Sequence, residues 1–121
     1  MDEINAITIK SVDFGALVNF LSPVYNKEVP EFAVDKTHHL SVLADDIVYF
    51  SNNYAFIAEL WAITMWQVRE LQRSKGEKDQ ISAAMAKRDY LDIVLSATKL
   101  KYHAVSRLLQ FYATPEYKYG L

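Results

Sequence analysis

Two stretches of this chain set a seam residue at alternating steps of three and four, ten positions running in each. The first holds Leu40, Leu43, Ile47, Phe50, Tyr54, Ile57, Trp61, Thr64, Val68 and Leu71. The second holds Ile81, Ala84, Arg88, Leu91, Leu95, Thr98, Tyr102, Val105, Leu109 and Tyr112. An α-helix turns once in about 3.6 residues, so this rhythm keeps one residue per turn on a single stripe, the surface that long helices bury against each other. The polar run Ser74-Lys75-Gly76-Glu77-Lys78-Asp79 separates the two stripes. Equal stripes on either side of one turn predict an all-α fold built on an antiparallel helical hairpin over 37–114. The pairing this implies sets Leu71 beside Ile81, Trp61 beside Leu91, Ile57 beside Leu95 and Leu43 beside Leu109.

The ends of the segments agree with this reading. Arg69, Arg73 and Lys75 put positive charge where the first helix closes, and Gly76 suits the C′ position. Glu77 and Asp79 put negative charge where the second begins. Asp35 or Thr37 is expected to open the first long helix, and Thr114-Pro115 to close the second. Upstream, residues 1–36 form an N-terminal unit. Ile4 to Ile9 alternate as a short arm, and Ser11 or Asp13 caps a short helix facing inward through Phe14, Leu17, Val18 and Leu21. Pro23 is expected to end that helix, leaving an irregular loop from Ser22 to Lys36 draped on the hairpin. Residues 115–121 are a tail without period, and the whole is one domain.

Hydrophobic residues make up 51% of the 121 and charged residues 23%, a balance that excludes a disordered chain. Cysteine is absent, which removes disulfides, thiolate metal sites and thiol nucleophiles. The start Met1-Asp2-Glu3-Ile4 lacks the basic and apolar character of a signal peptide, and a cytoplasmic location is expected. The longest near-apolar run, Tyr54 to Met65, includes Glu59 and is too short to span a bilayer, so no membrane is expected as partner. Between Tyr54 and Val68, Phe56, Leu60, Ile63, Met65 and Trp66 lie off the main stripe, and a helix apolar nearly all round needs cover on more than one side. A stripe of 32 residues is about 48 Å of helix, long against the radius of gyration near 14 Å of a compact chain this size. Both points predict a homo-oligomer whose subunits meet at Phe56, Leu60, Ile63 and Trp66.

Charge is distributed unevenly. Residues 1–46 hold eight acids against three bases, whereas 83–121 hold six bases against three acids. Lys99, His103 and Arg107 recur every four residues on one face, a row able to follow a phosphate backbone. The competing reading is a solvated helix face diluted by Asp89 and Asp92. Tyr117, Lys118 and Tyr119, with Tyr112 before them, pair aromatic rings with a cation and suit either stacked bases or docking of a tail on a neighbouring subunit. Arg88 and Thr98 interrupt the seam as polar register markers, with an anion site as the alternative for Arg88. Glu59, the lone acid in the apolar middle, belongs to a semi-polar series with Asp45, Asn52, Trp66 and Arg73 rather than to a catalytic pair. His38 and His39 are adjacent and point about 100° apart on a helix, which does not suit chelation. The Glu-x-x-His pattern of di-metal bundles and a phosphate-cradling glycine loop are both missing, so no metal or cofactor is expected.

The segment Ala86-Lys87-Arg88-Asp89-Tyr90-Leu91, followed by Lys99-Leu100-Lys101-Tyr102-His103-Ala104-Val105-Ser106-Arg107, resembles the second helix of small phage-type helical-hairpin proteins. Some of that group are accessory factors of DNA recombination that oligomerise and load a recombinase on single strands. The resemblance covers the hairpin and not residues 1–36. It implies an oligomer with access to single-stranded DNA. The leading expectation is a non-enzymatic oligomeric interaction module. Its alternative is a single-stranded nucleic-acid accessory factor using Lys99, His103, Arg107 and the Tyr117–Tyr119 tail, and a helical hydrolase is third.

Overall fold

The computed structural model of the chain describes residues 13–30 and 40–113. These form three helices: α1 (Phe14–Tyr25), α2 (Leu40–Arg73) and α3 (Lys78–Tyr112), with no strand among the described residues. The expected arm at Ile4–Ile9, the cap at Asp35 or Thr37, His38, His39, Thr114-Pro115 and the tail with Tyr117, Lys118 and Tyr119 lie outside the described residues.

Asp13 starts α1. Its carboxylate accepts a hydrogen bond from the Ala16 backbone N–H at 2.7 Å, satisfying one of the donors that a helix start leaves open. The helix does not stop at Pro23, as the sequence suggested, but runs through it to Tyr25. Pro23 removes the N–H that would reach the Asn19 carbonyl and sets its ring against that same carbonyl, a cost that packing has to offset. Burial of Val24 and the bond from Asn26 N–H to the Ser22 carbonyl, 2.9 Å, hold that turn in place. Leu17, Leu21 and Val24 are the inward face.

α2 and α3, of 34 and 35 residues, are each roughly 52 Å long. The turn between them closes α2 by a two-bond C-terminal motif. Gly76 N–H reaches the Leu71 carbonyl at 2.7 Å and Lys75 N–H the Gln72 carbonyl at 3.3 Å. The left-handed residue is Lys75, with φ 56°, and not Gly76. Gly76 sits one position later, where a Cβ would come within 3.1 Å of the Leu71 side chain and 3.2 Å of its carbonyl oxygen. Close approach, not backbone handedness, is what selects glycine there.

Two clusters form the core. One joins Leu17, Leu21 and Val24 of α1 with Ile57 and Leu60 of α2 and Leu91 and Val94 of α3. The other joins Leu43 and Phe50, early in α2, with Val105, Leu108 and Tyr112, late in α3. Trp61 and Leu95 pack on the first cluster and Leu109 on the second, so three of the four pairs named from sequence share a cluster.

The seam on α3 is nonetheless rotated from the expected one. Ala84, Leu91, Thr98, Val105 and Tyr112 are buried as expected, but the positions between them are Lys87, Val94 and Leu108, where Arg88, Leu95 and Leu109 were expected. Both flanks of this stripe border α2. Only one flank also receives α1, and beyond it Val29, so that flank is sealed while the other stays half open. Arg88 therefore leaves the seam and pairs with the neighbouring Asp89 carboxylate at 2.9 Å. Lys87 takes its place, only 8% exposed. Burial pushes its ammonium pKa down, and the facing Asp13 carboxylate pulls it part of the way back. The seam threonines are satisfied locally, Thr64 and Thr98 each donating to the carbonyl four residues earlier, at 2.8 and 2.7 Å.

α1 is fixed to α3 at both ends. Phe14 meets the Tyr90 ring edge-on at 5.7 Å, and Lys101 donates to the carbonyl of Tyr25 at the helix C-terminus, where a cation is favoured. Burial lowers the Lys101 pKa and raises that of Tyr90, with Tyr25 adding to the latter. Beyond α1, Lys27 pairs with Asp46 at 3.7 Å and lies 5.5 Å from the Tyr49 ring centre.

Candidate functional site

Of the four residues expected between subunits, Leu60 is 4% exposed and belongs to the chain's own core with Leu17, Leu21 and Val24. The physical reason is that α1 is long enough to cover this side of α2. Phe56 and Ile63 are half-buried against the same cluster, and Phe20 of α1 sits 6.0 Å from the Phe56 ring. Trp66 alone keeps a large exposed surface, 53%. Glu59 is half-buried on the outward side of α2, between exposed Asn52 and Trp66 in the seven-residue series read from sequence.

Large apolar side chains are exposed on all three helices, Phe20 on α1 and Val42, Val48 and Trp66 on α2 among them, and those on α3 form a second stripe. Ile93 is 56% exposed and Leu100 71%, and Phe111 continues the line. Ala97 and Ala104 fall between them, giving steps of four, three, four and seven. Helical geometry puts these residues about 110° round α3 from the centre of its buried stripe. Sequence reading passed over this stripe because alanines occupy alternate positions and the stronger seam masks it. One flank carries opposite charges at opposite ends, with Asp89 and Asp92 in the first half and Arg107 in the second.

The basic row divides. Lys99 and His103 line an open cleft of about 210 Å³ together with Tyr102 of α3 and Ser51 and Tyr54 of α2, while Arg107 is exposed outside it. The cleft lies on the half-open flank of the seam, opposite α1. The rotation described above produces it: Tyr54 and Tyr102, expected in the seam, are left half-buried at its edge. Neither tyrosine was expected to be a site residue, and only the third layer, α1, decides on which flank the cleft opens. No hydrogen bond or ion pair joins Ser51, Tyr54, Lys99, Tyr102 or His103 to any partner among the described residues. This contrasts with Lys27, Arg73, Arg88 and Lys101, whose charges are all engaged.

Among the described residues no group of three or more His, Cys, Asp or Glu side chains is placed to hold a metal ion. No helix among them is long and apolar enough to cross a membrane. No protein-family model, curated protein or solved structure matches the chain.

Proposed function

We propose that the protein is a non-enzymatic helical interaction module: α2 and α3 form an antiparallel hairpin, and two copies associate through the outer stripe of α3. The observation that carries this reading is the line of exposed Ile93, Leu100 and Phe111 with half-buried Ala97 and Ala104 between them. In an antiparallel pair centred between Leu100 and Ala104, Ile93 meets Phe111 of the other copy and Leu100 fills the space over its Ala104. Large opposite small is the packing that lets two helices approach closely. In this register Arg107 lies about five residues from the point opposite the other copy's Asp92, whereas a parallel pair would oppose like charges along its length. The test is the mass in solution by light scattering. The wild type should read twice 13.9 kDa at tens of micromolar, and Leu100→Glu should read 13.9 kDa with helicity unchanged. A wild type that stays at 13.9 kDa throughout would remove this reading.

Binding of single-stranded nucleic acid is the second reading, supported by the exposed, unengaged Lys99, His103 and Arg107 and by the resemblance of α3 to recombination accessory proteins. It predicts oligonucleotide binding that weakens steeply with salt and disappears in Lys99→Glu/Arg107→Glu.

A further inference from the structure

The geometry points to the α2–α3 cleft as a binding site for a small aromatic anion, a flat ring bearing one phosphate or carboxylate. The inference is separate from self-association, because the cleft lies on the flank of α3 toward α2 and not on the outer stripe. Four features of the cleft lead to it.

Its lining is a cation, an imidazole, two phenols and a hydroxyl, with no carboxylate among them. That set repels nothing anionic and offers a metal cation no ligand set, since Lys99 is a donor with no lone pair when charged. The size is that of a fragment: 210 Å³ is below the roughly 300–1,000 Å³ of pockets that hold drug-sized ligands. The walls are amphipathic, with two tyrosine rings presenting flat apolar faces as well as donors. Finally, no hydrogen bond or ion pair engages the polar side chains lining it among the described residues, and Tyr102 and His103 meet only each other, edge-on at 5.6 Å. Tyr54 and Tyr102 would hold the ring, and Lys99 and His103 the anionic group at the mouth. Two helices supply the walls, so the site exists only in the folded chain.

The ring-plus-anion chemistry has two sources, a free small molecule or one nucleotide of a single strand, and the experiment separates them. Backbone and tyrosine resonances of the wild type are followed while phenyl phosphate, benzoate, a nucleoside monophosphate, inorganic phosphate and a short single-stranded oligonucleotide are added in turn. Phenyl phosphate should saturate with a dissociation constant on the order of 1 mM or below and shift residues 51, 54, 99, 102 and 103 together. Lys99→Glu should weaken it at least tenfold. Ser51→Trp, which fills the cleft from an exposed position and leaves the charges in place, should do the same. Shifts produced by the oligonucleotide at these residues, without any from phenyl phosphate or the mononucleotide, would support the site and assign its source to a strand. Equal response to inorganic phosphate and phenyl phosphate would overturn the inference, leaving only a basic surface. Binding that survives Ser51→Trp, or no shift at these residues with any probe, would overturn it too.

Discussion

Lys87→Met isolates the cost of carrying a cation in the seam. Lys87 lies between Ala84 and Leu91 on the buried line of α3, and methionine keeps its length while replacing the ammonium by an apolar end. Replacing a whole buried ion pair by apolar residues of like volume is neutral to stabilising, whereas removing one partner of a buried pair destabilises because the other charge stays buried. Asp13, the carboxylate left behind here, is exposed and stays hydrated, so the end near neutrality applies: a gain of about 0–1 kcal/mol at pH 7. The pH dependence has a definite sign. Burial holds the folded pKa of Lys87 below its usual 10.5, so from that lowered value up to 10.5 the unfolded chain binds more protons than the folded one. In that window the wild type gains stability from this group as pH rises, while the Met variant does not. Tyr90 and Lys101 titrate in both proteins and cancel in the difference. Urea unfolding at matched protein concentration, at pH 7 and again near pH 10, measures it. The advantage of the variant should be largest at pH 7 and shrink toward pH 10. A variant less stable at pH 7, or an advantage equal at both, refutes the argument.

The left-handed Lys75 is a strained choice, and Lys75→Gly should stabilise by about 0.5–1 kcal/mol, raising the melting temperature by roughly 2–8 °C for a domain this size. Asp13→Ala should cost about 1 kcal/mol through the lost cap of α1, and thermal melts with the Asp13→Asn control, which still caps, separate cap from charge. The rotated seam is tested by a matched pair: Val94→Asp should cost about 3 kcal/mol or more, a charge with no partner in the core, whereas Leu95→Asp, at the half-open flank, should cost less than half of that in the same denaturant titration.

Much of this fold is legible in the spacing alone. The seven-residue series Leu43, Phe50, Ile57 and Thr64, like Ala84, Leu91, Thr98, Val105 and Tyr112, lies at the centre of either candidate stripe and is buried whichever flank is covered. The intervening positions are different. Lys87 against Arg88 and Val94 against Leu95 are each one residue apart on opposite flanks of that centre, and hydrophobicity favours Leu95 over Val94 only slightly. The flank is decided by α1, a separate segment, and no rule of helix periodicity says on which side it docks. The same missing information hid the cleft, because Tyr54 and Tyr102 read as ordinary seam aromatics until one flank is left uncovered. Pro23 and Gly76 show local signals overruled by packing: Val24 draws the chain through the proline, and Leu71 takes the space beside the glycine.

The central claim is that a second copy docks antiparallel on the outer stripe of α3, and the absence of cysteine from the chain allows a direct test. Leu100→Cys and Ala104→Cys proteins are prepared singly, mixed in equal amounts and oxidised, and the disulfide-linked products are separated by mass and mapped. A disulfide needs Cα atoms roughly 4.4–6.8 Å apart, and only positions that face each other in the pair come that close. The account predicts that the mixed Leu100→Cys/Ala104→Cys disulfide dominates and that each variant alone cross-links poorly. Dominant like-with-like disulfides, or no cross-linked chain at concentrations of tens of micromolar, would contradict it.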